Sequence, residues 1–168
     1  TEQGRYAGVA DTQDLMVQIS EMQMRSARYA NPLTQLPGNV PVNEHMDRLI
    51  ENNVPFVACY VDIDHFKPYN DAYGYRRGNE IIQLLGSILT ETCDERLDFV
   101  GHIGGDDFVL LMQSGDWHER CSLLLERFSA ETLRHVDAED LRRGGLRGED
   151  RRGSPIFHPL PTLSIGSI

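Results

Sequence analysis

The stretch GHIGGDDFVLL, residues 101–111, places two glycines and two adjacent aspartates between two apolar runs. Adjacent carboxylates repel each other and a pair of glycines costs backbone entropy, so the pattern needs a physical reason. Two interpretations are open: a hairpin turn with solvated aspartates, or a hairpin tip that holds a divalent cation. Both predict strands at 96–103 and 108–113 that are joined by a tight turn over residues 104–107.

The rest of the chain alternates between helical and extended patterns. The unbroken apolar run FVACYV, residues 56–61, predicts a strand that is buried on both faces in the middle of a sheet. Helices are predicted from apolar spacing at 42–51, 76–92 and 119–133, and a last strand is predicted at 162–168. The apolar side chains predicted to face the core from these helices are Met46, Leu49, Ile50, Ile81, Ile82, Leu85, Ile88, Leu89, Leu124, Leu125 and Phe128.

A hairpin inside this alternating order excludes an all-parallel doubly wound sheet. The order helix, strand, helix, hairpin, helix, strand predicts an α/β (α+β) domain with a mixed, largely antiparallel central sheet flanked by helices. The ferredoxin-like and polymerase-palm-like folds are of this type. The segment 141–155 is rich in arginine and glycine and lacks apolar periodicity, which predicts a loop or an extended ribbon.

The N-terminal segment 11–29 predicts a helix that precedes the domain. Its stripe of residues at helical spacing consists of Leu15, Ile19, Met22, Ser26 and Tyr29. Such a stripe fits either the end of a two-stranded signalling coiled coil or a helix packed on its own domain. The 168 residues therefore divide into a lead-in helix at 1–28 and one domain at 29–168. Because the sequence begins with Thr1 and not with Met, we expect it to be part of a longer protein.

The composition narrows the classes of function. The formal net charge of −10, from 26 acidic and 16 basic side chains, argues against nucleic acid and anionic lipid as partners because it repels polyanions. No apolar stretch in the sequence approaches the roughly 20 residues that a membrane-spanning helix needs. The three cysteines, Cys59, Cys93 and Cys121, form no CxxC pair, which favours a reducing, cytoplasmic location.

Acidic residues directly follow the predicted buried strand, in the sequence DIDHFKPYND at 62–71. If this strand lies beside the hairpin, Asp62 at its end and Asp106 at the hairpin tip come together. Hard oxygen ligands of this kind suit Mg²⁺ (or Mn²⁺), and Mg²⁺ takes one or two protein carboxylates together with water and substrate phosphates. Gly104 and Gly105 would then permit the tight turn and leave room for a phosphorylated ligand. The sequence contains neither an EF-hand loop nor a Walker A motif.

Four segments resemble, in order, those of the GGDEF domains, which are bacterial diguanylate cyclases that join two GTP molecules into cyclic di-GMP. The segments are NPLTQLPGN (31–39), YVDIDHFKPYNDAYGYRRGN (60–79), GHIGGDDF (101–108) and LSIG (163–166). Together they extend the resemblance over about residues 29–168. The resemblance implies binding of GTP with Mg²⁺. Because each domain binds one GTP, condensing two GTP requires two domains that face each other as a homodimer.

The resemblance also implies a role for each matching residue. Asp62, the backbone carbonyl of Ile63 and Asp106 would hold Mg²⁺. Asp106, or Asp107 beside it, would help to deprotonate the attacking 3′-hydroxyl. Lys67 would stabilise charge on the phosphates in the transition state. The residues implied to contact GTP are Phe66, Lys67, Asn70, Tyr75 and Asn79, with Asn70 at the guanine edge.

Several positions depart from the GGDEF pattern. Asp107 stands where the family has Glu, which retracts the carboxylate by about 1.5 Å, and misplacement near 1 Å can lower a rate about 10²-fold. Asn79 replaces an Asp that would accept hydrogen bonds from both guanine N–H donors. The other substitutions are Tyr75 for His, Gln35 for Gly and His102 for Arg. These departures predict weak activity.

Two further departures concern regulation and charge. The family's product-inhibition motif, RxxD, reads Glu95-Arg96-Leu97-Asp98 here. The negative charge of Glu95 should repel the phosphates of a cyclic dinucleotide, so we expect no feedback binding there. Since the sequence ends just after LSIG, we also expect it to lack the last helix and strand of the family. Two interpretations are open for five arginines in the segment 141–155: they are solvated, or they replace the positive charge that the last helix and strand carry in the family. These residues are Arg142, Arg143, Arg147, Arg151 and Arg152.

Three functions remain open for this sequence. The first is a diguanylate cyclase of weak activity. The second is a degenerate, non-catalytic GTP-binding regulatory domain that controls a fused phosphodiesterase or other output domain. The third is a dimerisation scaffold that binds no nucleotide. Fused sensory or phosphodiesterase domains in the parent protein would fit the first two.

Overall fold

The computed structural model describes residues 11–149 and 154–168. The strands are β1 Val57–Asp64, β2 Phe99–Gly104, β3 Asp107–Met112, β4 Gly145–Glu149, β5 Pro155–Pro159 and β6 Thr162–Ser167. The helices are α1 Thr12–Tyr29, α2 Asn39–Glu51, α3 Phe66–Tyr73, α4 Tyr75–Thr92, α5 Trp117–Thr132 and α6 Ala138–Arg143. Four strands form the central sheet in the order β2-β3-β1-β6, and each neighbouring pair is antiparallel. The predicted α/β fold with a largely antiparallel sheet is confirmed, and so is the predicted hairpin, β2–β3.

The central strand β1 is longer than the sequence predicts. The apolar run suggests an end at Val61, but β1 continues to Asp64 because β6 supplies pairing partners for its acidic residues. Asp62 pairs with Ser164, and Asp64 pairs with Thr162. The acidic residues therefore lie on the strand itself, where successive side chains alternate between the two faces of the sheet.

The two faces of the sheet are covered to different extents. One face carries Cys59, Val61 and Ile63 of β1 into a continuous core with α4 and α5. The other face is covered by α2 only around Ala58, where a second, smaller apolar cluster forms. Further along the same face, Tyr60 is 58% exposed, so the prediction of a strand buried on both faces is wrong there. The open part of this face is where the acidic side chains lie.

Other differences from the prediction have local causes. Helix α2 begins at Asn39, three residues before the predicted start, because Pro41 fits the first turn, where no intrahelical N–H is needed. Ile50 and Leu125 are exposed, not core residues as predicted, since their neighbours Leu49 and Leu124 occupy the inward positions. Helices α3 and α6 are too short to show an apolar period and fall outside the predicted helices.

The arginine-rich segment 141–155 is mostly a ribbon, as one of the two predicted alternatives has it. Strands β4 and β5 pair in antiparallel register beside α3, and α6 takes the first residues of the segment. Arg143 forms ion pairs with Glu139 and Asp140, so its charge is neutralised within α6. Arg151 and Arg152 lie outside the described residues.

Helix α1 precedes the domain and leaves its apolar stripe uncovered. Leu15, Ile19 and Met22 are 50%, 45% and 71% exposed, so much of the stripe stays accessible, although α1 contacts α2. The side chain of Ser26 lies outside the described part of the chain. The coiled-coil interpretation and the boundary between residues 28 and 29 stay predictions. Across residues 11–149 and 154–168, no helix combines the length and the apolar character needed to cross a bilayer.

Candidate functional site

The tip of the β2–β3 hairpin is a two-residue turn. Gly104 pairs with Asp107, which leaves Gly105 and Asp106 as the turn residues. Gly105 has a φ of +60°, a value that glycine adopts with little strain. Gly in the first of two turn positions is the pattern of a type II′ hairpin, which matches the twist of the flanking strands. The glycine pair of the sequence thus has a structural reason, and Asp106 lies at the end of the hairpin.

The carboxylates of β1 and of the hairpin lie close to one another. Val61 pairs with Phe108, so the next residues along the two strands, Asp62 and Asp107, are neighbours. Burial raises the pKa of Asp62, and the negative charges of Asp106, Asp107 and Asp64 raise it further. Burial also raises the pKa of Asp106, with a contribution from the charge of Asp107. The structure thus places Asp106 close enough to Asp62 for its charge to raise the pKa of Asp62, and the sequence suggested that these two residues come together.

A divalent cation suits this arrangement. Among residues 11–149 and 154–168, no three acidic, histidine or cysteine side chains converge into a complete metal site. Two carboxylates and one carbonyl are nevertheless the number of protein ligands that Mg²⁺ commonly takes when phosphates and water complete its shell. Asp62 is exposed, and a cation beside it would offset the repulsion from the neighbouring carboxylates that helps to raise its pKa. The residues present therefore fit Mg²⁺ or Mn²⁺.

Asp64 has a different role from Asp62, although both face the open side of the sheet. Its carboxylate accepts hydrogen bonds from Thr162 Oγ1 at 2.9 Å and from Ser164 Oγ at 2.8 Å. These bonds tie β6 to β1 at the edge of the site. No role for Asp64 was predicted from the sequence, although its spacing of two residues from Asp62 places both side chains on one face of a strand.

The start of α3 carries two of the residues that the sequence assigned to GTP. Lys67 lies in the first turn of the helix with its side chain exposed. The side chain of Phe66, in contrast, is buried in the main core. It is unavailable to a ligand, so a contact from Phe66 has to come from its backbone. The aromatic ring holds α3 on the domain, and the assignment of Phe66 to GTP stays a prediction that concerns its backbone.

Asn70 of α3 lies directly against Gly78 of α4. A Cβ added to Gly78 would be 1.8 Å from Asn70 Oδ1, so only glycine permits this contact. Among the described residues, Asn70 Oδ1 is buried and has no hydrogen-bond partner. Asn79, the next residue, is exposed, and Tyr75 at the start of α4 is 81% exposed. The junction of α3 and α4 thus brings together the residues assigned to the guanine base.

Comparisons with known proteins agree with this geometry. The family model described as diguanylate cyclase, GGDEF domain, matches residues 29–142. The chain belongs to the GGDEF family. Among curated proteins, it is 28% identical over 110 residues to diguanylate cyclase DgcP of Pseudomonas aeruginosa, covering 63% of this chain and 16% of that protein. It is 30% identical over 91 residues to diguanylate cyclase DgcZ of Escherichia coli, covering 53% of this chain and 30% of that protein.

Solved GGDEF structures share the fold of this domain. The coiled coil and GGDEF domain of DgcB from Caulobacter crescentus, in complex with c-di-GMP, gives a TM-score of 0.60 at 19% identity. That match covers 92% of this chain and 76% of the DgcB chain. The S helix-GGDEF-EAL structure of LapD from Vibrio cholerae, bound to c-di-GMP, also gives a TM-score of 0.60, at 14% identity, and covers 91% of this chain and 32% of LapD. At these identities the likeness concerns the fold alone.

In this GGDEF domain, the aspartate of the altered RxxD motif is engaged inside the protein. Asp98 accepts hydrogen bonds from the backbone N–H groups of Asp94 at 2.9 Å, Gln113 at 3.0 Å and Ser114 at 3.1 Å. The hydroxyl of Ser114 donates a fourth bond at 3.0 Å. These bonds join the loop before β2 to the end of β3. The carboxylate therefore serves the fold, and the absence of feedback binding stays a prediction that rests on Glu95.

Replacing Asp98 with asparagine should lower the free energy of unfolding by about 2 kcal/mol. The NH2 of asparagine would face backbone N–H groups that now donate to a carboxylate oxygen, so these donors would lose their acceptor. Urea unfolding measures this effect. Glu95→Gln, in the same loop with an exposed side chain, is the control and should leave the midpoint unchanged. Equal midpoints for both variants would contradict the structural role of Asp98.

Proposed function

We propose that this GGDEF domain binds GTP together with Mg²⁺, or Mn²⁺ in its place, and condenses two GTP molecules into cyclic di-GMP. The observation that carries the proposal is the proximity of Asp62 and Asp106 at the open part of the sheet. With the backbone carbonyl of Ile63, they would hold the metal. The names of the curated relatives support the reaction, although the chain spans less than a third of DgcP and DgcZ.

In the proposed reaction the 3′-oxygen of one GTP forms a bond to the α-phosphorus of the other, the bond between the α- and β-phosphates breaks, and pyrophosphate leaves. Positioning and charge neutralisation supply most of the acceleration of such a transfer. When bound, the metal neutralises charge on the triphosphate. Asp106 or Asp107 accepts the proton of the attacking 3′-hydroxyl. Lys67 stabilises the negative charge that develops on the phosphates.

The guanine base is assigned to the junction of α3 and α4. Asn70 reads the guanine edge, with Asn79 and Tyr75 as the other residues in contact with GTP. Oδ1 of Asn70 is buried against Gly78, so the NH2 of the same amide is the group that can donate to guanine. Phe66 contributes through its backbone only, because its ring lies in the core.

Condensation requires a homodimer, because each domain binds one GTP and the two nucleotides must face each other. The exposed apolar stripe on α1 supports pairing with a second copy through a coiled coil. In the parent protein, fused sensory or phosphodiesterase domains would deliver or receive the signal.

A second candidate function uses the same site without turnover. In that case the domain binds GTP and regulates a fused phosphodiesterase or other output domain. Asp107 favours this candidate because its carboxylate is one methylene shorter than the glutamate of the family, and Asn79 favours it because an amide offers guanine only one acceptor oxygen. Both candidates rest on the same metal-nucleotide site.

Calorimetry with GTP and Mg²⁺, followed by chromatography of the nucleotides, separates the candidates. Formation of pppGpG or cyclic di-GMP establishes the cyclase. Heat of binding without product establishes the regulatory domain. The absence of any heat of binding would contradict both. The same assay on the full-length parent protein reports whether neighbouring domains activate the reaction.

Replacing Asn79 with aspartate should tighten GTP binding by about tenfold, which corresponds to about 1.4 kcal/mol, because a carboxylate can accept from both guanine N–H donors. Calorimetry measures the change, and ATP serves as the control ligand because adenine lacks that donor pair. An unchanged GTP affinity would mean that Asn79 does not contact the base.

A further inference from the structure

His102 is a buried polar residue next to the hairpin tip, and the proposed function assigns it no role. It lies on β2, is 1% exposed and pairs with Phe108 across the hairpin. The two rings stack with their centroids 4.1 Å apart and an angle of 9° between their planes. Packing fixes the imidazole in one orientation, so the direction of its two nitrogens is set by the fold.

Each ring nitrogen of His102 has one hydrogen-bond partner, and the two partners lie in different segments. Nε2 is 3.0 Å from the carbonyl oxygen of Gly105, and Nδ1 is 2.9 Å from Thr34 Oγ1. A carbonyl oxygen only accepts, so Nε2 carries the proton and donates to Gly105. In the neutral ring Nδ1 then accepts, and the Thr34 hydroxyl donates to it. Burial lowers the pKa of His102, which favours this neutral form.

The segment 31–37 is attached to β2 at the same residue. The backbone N–H of His102 donates to the carbonyl of Pro37 at 2.8 Å. The turn that carries Thr34 is itself closed by Asn31, whose Oδ1 accepts from the backbone N–H groups of Leu33 and Thr34. A chain of hydrogen bonds therefore runs from this turn through the imidazole to the hairpin tip.

The tip needs such an anchor because its own backbone is permissive. Gly104 and Gly105 have many accessible conformations, and glycine loses more conformational freedom on folding than any other residue. Asp106 follows directly, and a metal ligand or a catalytic base must be held to within a fraction of an ångström. The hydrogen bond from His102 to the Gly105 carbonyl restrains the peptide unit that joins Gly105 to Asp106.

We propose that His102 is a positioning residue: its Nε2–H holds the Gly105 carbonyl so that Asp106 faces Asp62, and its bond to Thr34 couples the tip to segment 31–37. The ring is buried and both of its nitrogens bind groups of the protein, so its effect on a ligand passes through Gly105. The ligand-binding part of this inference rests on the proposed function, whereas the restraint on the tip does not.

Two variants separate the donor to Gly105 from the bulk of the ring. The side-chain amide of His102→Gln reaches about as far as Nε2, while that of His102→Asn reaches only as far as Nδ1. Both variants lose the stacking on Phe108, so both should lower the melting temperature. His102→Asn should weaken Mg²⁺-dependent GTP binding at least about tenfold, because a displaced Asp106 loses its geometry. His102→Gln should retain most of the affinity, and equal affinities in two folded variants would overturn the proposal.

Amide hydrogen exchange tests the restraint without any ligand. The amide of Asp107, which pairs with Gly104 across the turn, should exchange faster in His102→Asn than in His102→Gln. Thr34→Val keeps the shape of the side chain but removes the donor to Nδ1, and it should also speed exchange at Asp107. Unchanged exchange in Thr34→Val would overturn the coupling to segment 31–37. If the wild type shows no GTP binding, the proposed function fails, and the exchange rates still decide the role of His102.

Discussion

Replacing Asp106 with asparagine is expected to weaken Mg²⁺-dependent GTP binding on the order of 100-fold or more, about 2.7 kcal/mol. The amide has the size of the carboxylate but lacks its charge, so the loss reports on electrostatics and not on packing. Asp62 would then face the cation alone, and the remaining protein ligand, the Ile63 carbonyl, carries no formal charge. Calorimetry with GTP, in Mg²⁺ and in EDTA, measures the metal-dependent part of the affinity.

The same substitution should stabilise the metal-free protein, which distinguishes a functional carboxylate from a structural one. Because the pKa of Asp106 is raised in the folded state, its ionisation disfavours folding. Relative to Asp106→Asn, the wild type should therefore be equally stable below the unfolded pKa of aspartate and should lose stability as the pH rises through the raised folded value. Urea unfolding in EDTA across acidic and neutral pH measures this difference.

Asp47→Asn is the matched control, since Asp47 is exposed on α2, away from the acidic cluster. It should alter neither the GTP affinity nor the dependence of stability on pH. Retention of Mg²⁺-dependent GTP affinity in Asp106→Asn would refute the assigned metal ligand. A loss of stability in EDTA would show that the Asp106 carboxylate serves the fold instead.

The parts of the fold that the sequence could predict are those that local chemistry determines. The hairpin follows from the glycine pair at 104–105, because a two-residue turn needs a positive φ that glycine provides. Helix α4 follows from its apolar spacing, and the central position of β1 follows from its unbroken apolar run. These features depend on residues that are close together along the chain.

The parts that escaped prediction depend on partners far away along the chain. Strand β1 continues through its acidic residues because Thr162, which lies 98 residues from Asp64, binds that carboxylate. In the sequence, His102 shows only that the family's Arg is replaced. Its hydrogen bond to Thr34, 68 residues away, requires the folded structure. The sequence also does not show that the ring of Phe66, at a motif position assigned to the ligand, belongs to the core.

Replacing Gly78 with alanine is the second change with a large expected effect. The new Cβ would lie 1.8 Å from Asn70 Oδ1 and 2.9 Å from Asn70 Cγ, so the Asn70 side chain must move away. Without a hydrogen bond from Asn70, GTP affinity should fall about 10- to 100-fold, and the preference for GTP over ATP should fall with it. Competition binding with the two nucleotides measures both quantities.

A matched substitution on the same helix separates this contact from a general effect of alanine. A Cβ at Gly86 would meet Thr34 Cγ2 at 3.2 Å, Thr34 Cβ at 3.4 Å and Leu36 Cδ1 at 3.5 Å, contacts that shifts of a few tenths of an ångström relieve. Because these contacts lie away from Asn70, Gly86→Ala should keep the preference for GTP over ATP. If Gly78→Ala keeps that preference as well, Asn70 does not read the base, and the guanine site must be sought away from the α3–α4 junction. A loss confined to Gly78→Ala would instead tie nucleotide choice to the contact between Asn70 and Gly78.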